Sequence, residues 1–183
     1  MRLLILPGWQ NSGPDHWQSL WQASMTDAQR VEQADWDDPQ CRDWVANLSA
    51  AVNASKDDVI LVAHSLGCAL TAWWVALGMP GVLAPDKVIG ALLVAPPDVE
   101  RADMPTPSFA PMPTIRLPFA SIVLASDNDS WCDLPRAQAW AQAWGAEFHC
   151  LGALGHINTV TGLGSWTAGQ EWLSELKSRT GPR

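Results

Sequence analysis

Ten residues, Val59 to Cys68, constrain this chain more than any others. Four apolar residues, Val59-Ile60-Leu61-Val62, run into Ala63-His64-Ser65-Leu66-Gly67, and Ala69-Leu70-Thr71-Ala72-Trp73-Trp74 follow with helical character. A strand, a sharp turn bearing one serine and then a helix is the layout of a nucleophile elbow, whose strained turn lifts the hydroxyl above the end of a sheet. Ala63 and Gly67, two residues either side of the serine, must be small if they crowd each other across the turn. Ala63 stands where glycine is usual. The helix start beside Ser65 aims free N–H groups and a positive dipole end at any oxyanion formed there. A His-Ser-Leu-Gly string also occurs in ordinary strand-to-helix turns, so the reading needs a base and an acid later in the chain.

The rest of the chain alternates strand and helix. Leu3-Leu4-Ile5-Leu6 reads as a buried strand stopped by Pro7-Gly8, and Asp15 as the cap of a helix reaching about Asp27. A short strand is expected at Arg30 to Gln33, a helix after Pro39 to about Asn53, the strand Val59 to Val62, and the post-serine helix to about Leu77. Val88 to Val94 is a continuous apolar strand, as when both faces are covered. Pro96 to Pro118 is proline-rich and aperiodic, a surface excursion that either walls the site through Phe109 and Met112 or merely connects. Strand signal resumes at Phe119 to Ala125. A helix capped by Asp133 runs to Gly145, a last strand covers Ala146 to Leu151, and a final helix Ser165 to Ser178. Thr180 to Arg183 reads as a frayed tail. Six strands separated by helices imply a doubly wound parallel sheet, with ligands at the carboxyl ends of its strands.

At 183 residues, with 48% hydrophobic residues, one domain with a single large core is expected. The net charge of −8 repels nucleic-acid phosphate and weakens any attraction to an anionic membrane. No apolar run reaches the ~20 residues of a bilayer span, and the N-terminal run is too short for a signal peptide. A cytoplasmic location follows as an expectation. The four cysteines are scattered and lack metal-ligand spacing. Free thiols are expected, with Cys68 and Cys150 packing as small hydrophobes. No cofactor and no metal are expected. Twelve tryptophans, several at helical spacing such as Trp17/Trp21 and Trp140/Trp144, point to packing of helices on the sheet rather than to an aromatic groove.

A serine hydroxyl is a weak nucleophile until an imidazole takes its proton, and the imidazole needs a carboxylate to fix its tautomer. Among four histidines, His64 sits on a rigid turn pointing away from the serine, and His149 lies inside a strand. His156 follows Gly155 in a loop after the last strand and is the favoured base, with His16 its rival. Asp127, Asp129 and Asp133 follow the fifth strand. Asp133 suits a helix cap, and Asp129 is favoured over Asp127 as the acid, although both also suit Asx-turns. The oxyanion would be met by the backbone N–H groups of Leu66 and Trp9. Trp9 would also wall the acyl pocket, and Trp131, two residues past Asp129, is a second substrate-contacting candidate.

Leu6-Pro7-Gly8-Trp9-Gln10-Asn11-Ser12-Gly13-Pro14-Asp15-His16-Trp17 resembles the opening signature of small serine hydrolases related to retinoblastoma-binding protein 9. The segments Ala63 to Cys68, Ser126 to Asp129 and Gly155 to Asn158 resemble that family's elbow, acid loop and base loop. The resemblance spans nearly the whole chain. It implies a compact α/β-hydrolase fold of about six mostly parallel strands in the order 2-1-3-4-5-6, with no large lid. It also implies Ser65, Asp129 and His156 as nucleophile, acid and base. Ser130 stands where relatives commonly have proline, which leaves Asp127 open as the acid. The expected activity is cleavage of a small-molecule ester, thioester or amide through an acyl-enzyme. The alternatives are a protein-binding scaffold on the same fold and an acyltransferase using the same three residues.

Overall fold

A computed structural model describes residues 1–180; the last three residues of the expected tail lie outside the described residues. Six strands, β1 (Arg2–Leu6), β2 (Ala28–Arg30), β3 (Val59–His64), β4 (Val88–Val94), β5 (Ala120–Ala125) and β6 (Glu147–Cys150), form one sheet. Its order is β2-β1-β3-β4-β5-β6, and every neighbouring pair is parallel. Five α-helices accompany them, four between strands and the fifth after β6: α1 (Trp17–Ser24), α2 (Cys41–Ala54), α3 (Leu66–Ala76), α4 (Leu134–Trp144) and α5 (Thr167–Arg179). This is the expected α/β-hydrolase architecture.

The central strands read as unbroken apolar runs because both of their faces are covered. Leu4, Leu6, Leu61 and Ala63 pack with α2, α3 and α4, while Leu3, Ile5, Ile60 and Val62 pack with α1 and α5. Tryptophan fills both layers. Trp17, Trp21, Trp44, Trp74 and Trp144 are each almost wholly buried. Each of these five finds a partner for its indole N–H, as buried indoles usually do. Trp74, for instance, donates to Ser49 Oγ at 2.9 Å and ties α3 to α2. Truncating such a ring to alanine typically costs about 3–5 kcal/mol. Among the described residues no helix is long and apolar enough to cross a membrane.

Several expectations shift. The first helix starts one residue late: His16, not Asp15, is its cap, because His16 Nδ1 accepts the Gln18 N–H at 3.1 Å while Asp15 is exposed. That helix also ends at Ser24. The second strand lies at Ala28–Arg30 rather than Arg30 to Gln33, since its register on β1 pairs Leu3 with Ala28 and Ile5 with Arg30. Phe109 and Met112 are core residues, 0% and 3% exposed, so neither walls a surface site. Cys68 is buried, but Cys150, at the end of the edge strand β6, is exposed.

Candidate active site

Ser65 stands immediately beyond β3, with φ 52° and ψ −122°. A positive φ at a non-glycine residue is strained by about 1–3 kcal/mol and persists only where its surroundings enforce it. Here the Ser65 N–H bonds to Val94 O at 2.9 Å on the adjacent strand, and the Ser65 carbonyl accepts the Cys68 N–H at 2.8 Å. Leu66 opens α3, so its N–H belongs to the unpaired first turn. Gly67 is required, but not by Ala63. A β-carbon on it would meet the Leu6 carbonyl oxygen at 2.2 Å, so the crowding comes from β1.

The loop after β1 approaches the same serine. A β-carbon on Gly8 would lie 2.8 Å from Ser65 Cβ and 3.3 Å from Leu66 N. Close passage of backbone against the elbow therefore selects glycine there, and it brings Trp9 to the serine's side. Two residues with left-handed φ, Gln10 at 62° and Asn11 at 63°, turn the loop back. Arg30 pins it, donating to Asn11 Oδ1 at 2.6 Å and to Ser12 O at 3.0 Å. Gln18, fully buried, donates to Leu6 O and Val62 O at 3.1 and 3.0 Å and accepts from Ser12 Oγ at 2.7 Å. One side chain thus binds the carboxyl ends of two central strands to this loop.

His156 and Asp129 complete a chain of polar contacts. His156 Nε2 lies 2.7 Å from Ser65 Oγ, and His156 Nδ1 lies 2.9 Å from both carboxylate oxygens of Asp129. Nδ1–H donates to the carboxylate, which leaves the lone pair of Nε2 facing the hydroxyl. The side chains are largely buried, 10% exposed for His156 and 3% for Asp129. Asp129 is held in turn by the Trp131 N–H at 2.9 Å. Asp127 is exposed, and its N–H bonds Gly152 O. Asp133 caps α4.

The other histidines are engaged elsewhere. His149 pairs with Glu147 at 2.6 Å on β6. His16 is 5% exposed, with Nδ1 used as a helix cap and Nε2 buried without a partner. Burial, aided by the charges of Arg30 and His156, pushes its pKa down to about 4, so it is a neutral ring at neutral pH. His64 donates through Nε2 to the carbonyl oxygen of His156 at 2.9 Å.

Residues to which the sequence assigned no contact with the His156 loop shape it. Asn128 Oδ1 accepts the Gly155 N–H at 2.7 Å, and Ser126 Oγ accepts the Leu154 N–H at 2.9 Å. Trp17 Nε1 donates to Ile157 O at 2.9 Å, across 140 residues. A Ser-x-Asn string after a strand is a recognisable turn signal; nothing local marks Trp17 as a partner of a loop so distant.

Trp9 and Trp131 flank the serine, their rings 6.5 Å apart and steeply inclined. Together with Asn11, His16, Ser65 and His156 they line a cleft of about 310 Å³. A neighbouring hollow of about 590 Å³ continues past Trp131 to Leu154 and Val160. No Lys, Arg, Asp or Glu side chain lines either space. Among the described residues no group of three or more His, Cys, Asp or Glu is placed to hold a metal ion.

A family profile described as Serine hydrolase matches residues 3–175. No curated protein matches the sequence significantly. Among solved structures, a Pectobacterium atrosepticum protein described as a YdeN-like hydrolase is 30% identical, with a TM-score of 0.87 over 99% of this chain and 92% of that one. The ydeN gene product of B. subtilis is 19% identical, with a TM-score of 0.73 over 96% and 97%. Thermogutta terrifontis esterase 2 is 14% identical, with a TM-score of 0.69 over 99% and 84%. The last two share the fold alone.

Proposed function

The chain belongs to the serine hydrolase family, and from that premise we propose that it cleaves a small ester, thioester or amide through an acyl-enzyme on Ser65. The observation that carries this reading is the unbroken contact chain from Ser65 Oγ through the His156 ring to Asp129, at 2.7 and 2.9 Å.

In the proposed reaction Ser65 Oγ attacks the substrate carbonyl carbon while His156 Nε2 takes the hydroxyl proton. Asp129 holds the ring tautomer and stabilises the imidazolium. The carbonyl oxygen becomes an oxyanion, met by the N–H groups of Trp9 and Leu66. The bond to the leaving group then breaks, and His156 gives that group its proton. Water attacks the resulting acyl-serine by the same sequence in reverse and frees the carboxylic acid. The Trp9 and Trp131 rings serve as walls for the substrate, and the absence of charged side chains along the cleft favours a neutral substrate.

The narrower kinship with proteins related to retinoblastoma-binding protein 9 is part of this proposal, resting on the signature Leu6 to Trp17 and the acid and base loops. A fluorophosphonate probe, together with a panel of short acyl esters, thioesters and aminoacyl amides, tests the reading. Labelling confined to Ser65, and turnover that Ser65→Ala lowers by about 10⁴ or more, are expected. Folded protein that neither labels nor turns over any panel member would favour a binding scaffold instead.

A further inference from the structure

His64 is a buried polar residue that the proposed reaction does not use. It precedes Ser65 in the chain, it is 5% exposed, and its ring hydrogen-bonds through Nε2 to the carbonyl oxygen of His156 at 2.9 Å. A carbonyl oxygen only accepts, so Nε2 of His64 must carry the proton. Two consecutive residues of the elbow therefore grip one residue of the opposite loop at two points. Ser65 meets the His156 ring, and His64 meets the His156 backbone.

The held loop needs holding. Gly155 and Ile157, on either side of His156, have φ of 56° and 48°. The second is a β-branched residue in a region such residues rarely enter. Trp17 holds the Ile157 carbonyl, and among the described residues His64 is the donor to that of His156. We infer that His64 is a positioning residue: its Nε2–H fixes the backbone of His156 and thereby sets where that imidazole stands over Ser65. The inference rests on the reading of Ser65 and His156 as nucleophile and base.

Neutrality suits this role. The ring centroids of His64 and His156 are 5.0 Å apart. A charged His64 would repel the imidazolium that forms on His156 in each half-reaction. The groups facing His64 are His16 and His156, and burial foremost holds its pKa well below the ordinary histidine value. An uncharged donor can thus anchor the loop without opposing the proton transfer.

The test compares His64→Phe, which keeps a ring but removes the donor, with His64→Gln, which restores an N–H at similar reach. With p-nitrophenyl acetate and a fluorophosphonate as probes, the Phe variant is expected to lose about 10- to 100-fold in kcat and in labelling rate, with KM little changed, and the Gln variant to recover much of the loss. A Phe variant that labels as fast as the parent, or equal losses in folded Phe and Gln variants, would overturn the inference. Should the Phe variant not fold, ¹⁵N NMR of the unaltered protein decides: a neutral Nε2–H tautomer at His64 from pH 5.5 to 7.5 supports the role, and an Nδ1–H or charged ring overturns it. Parent protein that fails to label would sink the nucleophile reading while leaving the tautomer result standing, so the two failures are distinguishable.

Discussion

A β-carbon placed on Gly67 would stand 2.2 Å from the carbonyl oxygen of Leu6, inside any permissible contact. The atom in the way is backbone, and Gln18 holds it from the other side at 3.1 Å. Gly67→Ala must therefore push β1 or α3 aside. A loss of about 1–3 kcal/mol or more in urea unfolding is expected, with hydrolysis reduced because the Pro7-Gly8-Trp9 turn moves with Leu6. An unchanged unfolding midpoint would show that the two elements separate freely.

The choice between two neighbouring carboxylates has a direct reading in kinetics. Asp129 contacts the His156 ring and Asp127 does not. Asp129→Asn should lower kcat by about 10⁴, since the amide favours the wrong ring tautomer. Asp127→Asn should stay within about threefold of the parent. Comparable losses in both variants would count against Asp129 as the acid.

Acid should weaken the fold through His16. Its pKa in the folded chain is about 4, whereas a free histidine titrates near pH ~6.5. Between those values the unfolded chain binds a proton that the folded one refuses, so stability falls as pH falls across that window. His64, also depressed by burial, adds in the same direction. The share of His16 alone amounts to roughly 3 kcal/mol by the bottom of the window. His16→Asn keeps an oxygen to cap α1 and should flatten the dependence relative to the parent in urea titrations at pH 7 and 4.5. Parallel slopes would refute the assignment.

The four thiols should separate cleanly. Cys41, Cys68 and Cys132 are buried, and Cys150 is exposed. Burial pushes Cys41 and Cys132 up to about 12 and Cys68 higher still, so none of the three offers a thiolate. Ellman's reagent should react quickly with one thiol in the native protein and with all four after denaturation. Rapid reaction of a second thiol in the native state would contradict the packing that buries Cys41, Cys68 and Cys132.

Much of this was legible in the chain itself. Val88 to Val94 read as a strand because a doubly covered strand has no polar face, and its bounds match β4. The elbow read clearly because the apolar run, the serine and the small residues around it lie together in ten residues of chain. Less was legible where the deciding contact is distant. The cap of α1 moved from Asp15 to His16 because an imidazole nitrogen served as acceptor, which residue preference alone does not suggest. The Phe109 segment looked like surface because its prolines disrupt periodicity, yet Trp73 Nε1 donates to Phe109 O at 2.7 Å and the ring packs on Trp44. The crowding of Gly67 by Leu6, rather than by Ala63, depends on strand order and not on spacing.

The indoles of Trp17 and Trp21 reach forward 140 and 144 residues, to Ile157 and Ser165. A chain emerging from a ribosome thus makes its serine early and waits for nearly everything else. Until residues 157 and 165 have emerged, the two indoles lack these acceptors and residue 156 lacks the support of Trp17 beside it. A chain cut before residue 156 would carry an elbow without its proposed proton acceptor, so the proposed chemistry would also report that the segment after β6 has docked.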